Sequence, residues 1–255
     1  MAERILRIAG ISDTHINATH KTPAIPKEAY IEHVQDMSRH ADLIIHGGDF
    51  TDKGDLASAK IAAEIFRASS VPVIGVLGNH DYEKDVTELT SILKYEGGIQ
   101  LLSGNIYPLD KEDRTVNIIG ASGFTLRGQE RLARDIGITV EELEALSEEQ
   151  LANFSKNLKV LKGNDNIGLL HFQPARQFRD ERSGRAKGKI KSSEFGRVID
   201  ENKNALQVVF HGHDHYGVNV PDKTRLGVDI VNLAESITIT MTPGVPYRLI
   251  QLPLS

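Results

Sequence analysis

Asp13 and His15 stand two residues apart, just beyond the apolar run Ile5 to Ile11. Side chains at i and i+2 of an extended segment point the same way, so a carboxylate and an imidazole at this spacing can grip one ion. His213 and His215 repeat the spacing after Gly212, beyond the run Leu206 to Phe210. Between these ends lie Gly48-Asp49, the tetrapeptide Gly78-Asn79-His80-Asp81, and His171 at the close of Ile167 to Leu170. Asp-x-His alone is common, and a single histidine means little. Gly-Asn-His-Asp is expected by composition in roughly one or two such chains per thousand, and Gly-His-x-His in roughly one in a hundred. Their joint occurrence, each after an apolar run, points to a metal site.

Imidazole and carboxylate ligands without thiolate suit Mn, Fe or Zn. Asp49 lies between two such clusters and is placed to bridge two divalent ions, while Asn79 adds a neutral amide oxygen. Two divalent ions, two carboxylates and one hydroxide leave a residual charge of about +1, which suits a phosphate anion and the extra charge of its transition state. Ions roughly 3.5–4 Å apart orient a hydroxide toward phosphorus and clamp the phosphoryl oxygens. His80 is not needed as a ligand, and is expected to protonate the leaving alkoxide. Asp52, three residues after Asp49, is expected to accept its hydrogen bond, and Asn79 and His80 to touch the substrate.

The elements that must hold these residues follow from the pattern. In the first third, apolar runs over 5–11, 43–46 and 71–77 alternate with helical periodicity after Pro26, after Asp55 and from Asp85 to about Tyr95. Such alternation implies βαβ units and a parallel sheet, whose ligands sit beyond the carboxyl ends of the strands. Val116 to Ala121, Ile167 to Leu170 and Leu206 to Phe210 read as further strands, with a helix from about Ser193 to Asn202. Thr139 with Glu142, and Ser147 with Gln150, each read as a capping box that starts a helix. The segment 123–163 is expected to decorate the core. The remainder is expected to add short strands to a second, partly antiparallel sheet.

The chain has 255 residues, a formal charge of −5 and no cysteine. A single domain of this length needs no disulfide or structural metal to hold it together. Zero cysteine removes thiolate sites and cysteine nucleophiles. The acidic balance argues against nucleic acid as partner, and no signal peptide or membrane span is readable, so the expected location is the cytoplasm. One basic stretch runs through Arg176, Arg179, Arg182, Arg185, Lys187, Lys189 and Lys191. It reads as a solvated loop, or as a strap that recruits an anion. Arg127 is a weaker candidate for the same task. His20, His33 and His40 read as surface residues; His46 and His211 stand close enough to the motifs to hydrogen-bond near the site.

The ordered motifs from Asp13 to His215 resemble the calcineurin-like metallophosphoesterase superfamily. The resemblance implies a four-layer α/β/β/α sandwich of two mixed sheets flanked by helices, over a single domain spanning 1–255. It implies a first metal on Asp13, His15, Asp49 and His215, and a second on Asp49, Asn79, His171 and His213. Purple acid phosphatases place a tyrosine where this chain has Asp52. Protein Ser/Thr phosphatases place Arg and Glu where it has Lys53 and Asp81. The spelling Gly-Asp-Phe-Thr-Asp-Lys-Gly with Gly-Asn-His-Asp is closer to small prokaryotic phosphodiesterases, many of which carry a His pair where this chain reads Leu170-His171-Phe172. The implied function is hydrolysis of a small-molecule phosphate ester by two divalent ions, with diesters preferred. The alternatives are a phosphomonoesterase acting on small metabolites, a nuclease, and a non-catalytic interaction scaffold of the same fold. The scaffold would lack the Gly-Asn-His histidine, whereas His80 and Asp52 are both present here. The sequence carries no signal for oligomeric state.

Overall fold

A computed structural model describes residues 5–18, 25–111, 114–124, 129–161, 163, 165–177, 189–215, 222–234 and 247–254. The first half runs β1 (Ile5–Ile11), α1 (Lys27–His40), β2 (Leu43–His46), α2 (Leu56–Phe66), β3 (Val73–Gly75), α3 (Val86–Ser91) with a π turn over Ile92–Glu96, and β4 (Ile99–Leu101). Then follow β5 (Ile106–Lys111), β6 (Arg114–Ala121), α4 (Gln129–Ile136), α5 (Val140–Val160), β7 (Ile167–Leu170), β8 (Ala175–Arg176), β9 (Lys191–Ser192), α6 (Glu194–Glu201), β10 (Val208–His211), β11 (Asp229–Asn232) and β12 (Arg248–Pro253). One five-stranded sheet has the order β12-β1-β2-β3-β4 and the other β11-β10-β7-β6-β5. Both are mixed: β12 is antiparallel to β1 and β5 to β6, and the other pairs are parallel.

Alternation along the strands builds the layers. Leu6, Ile8, Leu43 and Ile45 of the first sheet meet Ile118, Ile167, Leu169, Val208 and Phe210 of the second in a core between the sheets. Their neighbours Ala9, Ile11 and Ile44 face outward onto α1 and α2. On the far side Ile119, Leu170 and Val209 face Phe154 and Leu158 of α5 and Phe195 and Ile199 of α6. Strands buried on both faces read as unbroken apolar runs, which is why they are legible. The result is the expected α/β/β/α sandwich. Among the described residues no helix is long and apolar enough to cross a membrane.

Local signals act as their chemistry requires. Asp55 caps α2 by accepting from the Ser58 N–H at 2.9 Å, and Thr139 and Glu142 close a reciprocal capping box on α5. Several expectations need correction. The run 71–77 pairs as a strand only over Val73–Gly75, because the chain then turns into the Gly78 loop. Ser147 and Gln150 start no helix. They lie buried within the unbroken α5, where Gln150 uses its amide for tertiary bonds to Ser122 and Tyr82. The C-terminal strand β12 leaves the second sheet's neighbourhood and joins the first, against β1. His33 is half-buried and packs edge-on against Tyr247, with 5.0 Å between ring centres.

Asp42 ties the first sheet to the second. Its carboxylate accepts from the Arg7 N–H at 2.9 Å, the Arg7 guanidinium at 2.9 Å and Lys111 of β5 at 3.0 Å. Burial opposes its ionisation, yet these donors hold its pKa at about 2. A depressed carboxylate stabilises the fold above its unfolded value and loses that contribution as pH falls through the folded one. Asp42→Asn should therefore cost about 1–2 kcal/mol at pH 7, discounted for the exposed Arg7 partner. Urea unfolding at pH 7 and at pH 3 checks this: the difference between the two proteins should shrink at the lower pH.

Candidate metal centre

The parallel strands deliver their last residues to one edge, and the loops beyond them continue the pairing. The Asp13 N–H donates to Gly48 O at 2.9 Å and the His15 N–H to Asp49 O at 3.1 Å, so the loops after β1 and β2 run side by side. Gly212 N–H donates to His171 O at 3.1 Å and joins the ends of β7 and β10 in the same way. Four described residues other than glycine have left-handed backbones: Asp13 (φ 55°), His15 (φ 44°), Asp49 (φ 55°) and His213 (φ 66°). Each such residue costs on the order of 1–3 kcal/mol and persists where the surroundings force it, usually at a working site. All four belong to the ligand set expected from sequence.

The side chains form two groups that meet at Asp49. In the first, His215 Nε2 lies 3.1 Å from Asp13 Oδ1, and His15 Nε2 lies 3.9 Å from the same oxygen. In the second, His171 Nε2 lies 3.5 Å from Asp49 Oδ2 and 3.0 Å from Asn79 Oδ1, and His213 brings a ring nitrogen within 4.8 Å of the Asp49 and His171 donors. His15 Nε2 is 3.8 Å from Asp49 Oδ2. One carboxylate oxygen is thus approached from both groups. All seven expected ligands converge, with Asp13, Asp49 and His171 buried and His15, His213 and His215 partly open.

The electrostatics of the donors fit cations. Burial lowers the His15 imidazole to about 4 and His213 to about 3, and depresses His171, so their lone pairs are free at neutral pH. Burial also opposes ionisation of Asp13, but the His215 hydrogen bond and its neighbours hold that carboxyl well below the usual range. Asp49 goes the other way: burial, then the charges of Asp13 and Asp81, raise it well above an ordinary carboxyl. The hydrogen bond to Asp13 raises His215 instead. Two buried carboxylates whose charges repel, ringed by imidazoles of which His15, His171 and His213 are held neutral, are a donor set suited to divalent ions.

Surrounding groups fix the ligand loops. Asp81, fully buried, accepts from the N–H groups of Gly78 (3.0 Å), Phe50 (3.2 Å) and Thr51 (2.9 Å). It thereby locks the Asp49 loop to the Asn79 turn. His46 accepts the Gly48 N–H on Nδ1 at 3.1 Å, so its Nε2 carries the proton and faces Thr14 Oγ1 at 3.2 Å. The second expected neighbour, His211, is buried and uses Nδ1 on Gly212 O at 2.7 Å. A Cβ on Gly78 would stand 2.7 Å from Asp49 Cγ and 2.5 Å from Asp49 N. Gly78→Ala should therefore displace the Asp49 carboxylate and weaken divalent-ion uptake by at least about tenfold. Mn²⁺ titration followed by calorimetry reads the effect, and unchanged uptake would mean the loop yields without moving Asp49.

His80 sits on the outer side of this arrangement. Its N–H donates to Asp49 Oδ1 at 2.9 Å, and its ring stands edge-on to His15 with 4.7 Å between centres. Nδ1 lies 2.7 Å from the main-chain O of Asp52 and 3.0 Å from Glu83 Oε1. Asp52 is thus the expected acceptor for His80, but through its main-chain oxygen. Its carboxylate accepts from Asn17 at 2.7 Å and lies 4.0 Å from His15 Nδ1. Glu83 escaped the sequence reading. The signal for it was the i, i+3 spacing, which brings side chains together in the 3₁₀ turn Asn79–Tyr82 and its cap Glu83. A carbonyl only accepts, so Nδ1 donates and Nε2 is the atom left for proton transfer. Arg179, Arg182, Arg185, Lys187, Arg127 and His20 lie outside the described residues.

A family model described as calcineurin-like phosphoesterase matches residues 6–217. A protein of Arcobacter nitrofigilis named as a probable glycerophosphodiester phosphodiesterase is 26% identical over 175 residues, which cover 66% of this chain. The match spans 58% of that protein's length. A crystal structure covered over 100% of its chain, and 99% of this one, superposes at a TM-score of 0.59 with 12% identity, a likeness of fold. A protein of unknown function from Aquifex aeolicus aligns over 89% of each chain at 14% identity, with a TM-score of 0.39.

Proposed function

The chain belongs to the calcineurin-like phosphoesterase family, and from that premise we propose that it is a metal-dependent hydrolase of small phosphate esters that prefers diesters. The observation that carries the two-ion form of this reading is the shared carboxylate: Asp49 Oδ2 lies 3.8 Å from His15 Nε2 and 3.5 Å from His171 Nε2. Asp13, His15, Asp49 and His215 would hold one divalent ion, and Asp49, Asn79, His171 and His213 the other. Mn, Fe or Zn suits this mixture of oxygen and imidazole nitrogen donors. Bound ions supply Lewis acidity toward the phosphoryl oxygens and lower the pKa of a water.

The chain's own residues complete the chemistry. His80 reaches toward the leaving oxygen and donates a proton from Nε2, while its Nδ1–H stays bound to Asp52 O and Glu83. Asn79 orients a phosphoryl oxygen beside it. The carboxylate of Glu83 lies beside His80, and that of Asp52 lies 4.0 Å from His15 Nδ1, so a substrate with one negative charge is repelled less than a monoester dianion. The relative named as a phosphodiesterase supports the same preference. The domain extends over the whole chain, with the helices between 123 and 163 as an addition to the core.

Initial rates on bis-p-nitrophenyl phosphate and p-nitrophenyl phosphate, with Mn²⁺ and with a chelator, test this. Chelator-sensitive hydrolysis faster on the diester is expected. A faster monoester would overturn the diester preference, and rates indifferent to chelation would overturn the metal dependence.

A further inference from the structure

Gln150 is a glutamine buried in the middle of α5, 1% exposed, whose two polar atoms are both engaged away from its own helix. Its Oε1 accepts the Ser122 N–H at 3.0 Å, and its Nε2 donates to Tyr82 Oη at 3.2 Å. Tyr82 Oη in turn lies 3.2 Å from Ser122 Oγ. The Ser122 carbonyl, on the other side of the same residue, accepts the N–H groups of His171 (3.2 Å) and Phe172 (3.0 Å). Phe172 lies against the His213 ring, 4.2 Å between centres and tilted by 44°. Tyr82 ends the turn that begins at Asn79. Every branch from Gln150 leads to one donor group: His171, His213 and Asn79.

We infer that Gln150 is a positioning residue for the His171 half of the metal centre, acting through the Ser122 peptide and Tyr82. The inference rests on the two-ion reading above. A buried amide in this place pairs the Ser122 N–H and adds a second partner to the Tyr82 phenol, which also meets Ser122 Oγ. It also makes α5 part of the metal centre's support without touching a ligand. Outer partners of this kind typically change metal affinity by about 10–100-fold when removed.

Calorimetric titration of the metal-free full chain with Mn²⁺ tests this without substrate. Wild type should take up two ions, and His171→Ala identifies the one belonging to this half. Gln150→Met, of similar length and without polar atoms, should weaken that ion by about tenfold or more and leave the other at wild-type affinity. Gln150→Glu keeps an acceptor for Ser122 N–H and can accept from Tyr82, and should recover much of the loss. Tyr82→Phe removes only the hydroxyl bound by Gln150; it should weaken the same ion more mildly, and serves if Gln150→Met does not fold. Loss of packing alone would weaken both ions alike. That result, or unchanged uptake in both variants, overturns the assignment. A wild-type chain that takes up fewer than two ions refutes the two-ion reading and the assignment with it.

Discussion

Asp49→Asn should lower kcat/KM for a phosphodiester by at least about 10³-fold, roughly 4 kcal/mol of transition-state stabilisation. The substitution keeps the shape of the side chain, and asparagine tolerates the left-handed backbone that Asp49 adopts at φ 55°. What it removes is the anionic oxygen that lies 3.8 Å from His15 and 3.5 Å from His171. The two donor groups then share no anion, and Mn²⁺ uptake should fall from two ions to one or none. Stability should move the opposite way. Burial and the charges of Asp13 and Asp81 raise the Asp49 carboxyl well above its ordinary value. A raised carboxyl destabilises the metal-free fold at pH values above its folded pKa, and that penalty vanishes below the unfolded value. Metal-free Asp49→Asn should therefore melt at or above the wild-type temperature at pH 7, and the two should converge toward pH 4. Calorimetric melts of both proteins at the two pH values check this. A variant that is inactive because it is unfolded would refute the functional assignment of the loss.

His80→Ala should keep both ions and lose about 10²–10⁴-fold in turnover on esters with poor leaving groups. On p-nitrophenyl esters, whose leaving group departs without protonation, the loss should be small. Rates against leaving-group pKa should therefore fall more steeply for the variant than for wild type. The orientation behind this rests on Nδ1, held by Asp52 O at 2.7 Å and Glu83 at 3.0 Å. Retained turnover on an alkyl diester would remove His80 from the acid role.

The candidate site was more legible than the fold around it, for a physical reason. Its proposed ligands follow strands buried on both faces, and such strands print as apolar runs, so each run points at what comes after it. The same double burial hides which core a residue faces. That Ile8 and Ile45 meet the second sheet while Ile11 and Ile44 meet the helices is set by alternation and sheet stacking. Edge strands were harder still. β5 carries Pro108 and alternates weakly, as its place at a sheet margin allows, and β12 joins β1 across more than two hundred residues. Ser147 and Gln150 copied the spelling of a capping box, but both are buried inside α5, where Gln150 bonds to Ser122 and Tyr82. Asp52 was correctly near His80 but met it through the main chain, which no side-chain reading could foresee.

Crystals grown with Mn²⁺ and measured across the manganese absorption edge would test the two-ion centre most directly. The expected result is two anomalous peaks, roughly 3.5–4 Å apart, with the Asp49 carboxylate between them, His215 on one side and His171 on the other. A single peak, or a pair that does not share Asp49, would contradict it.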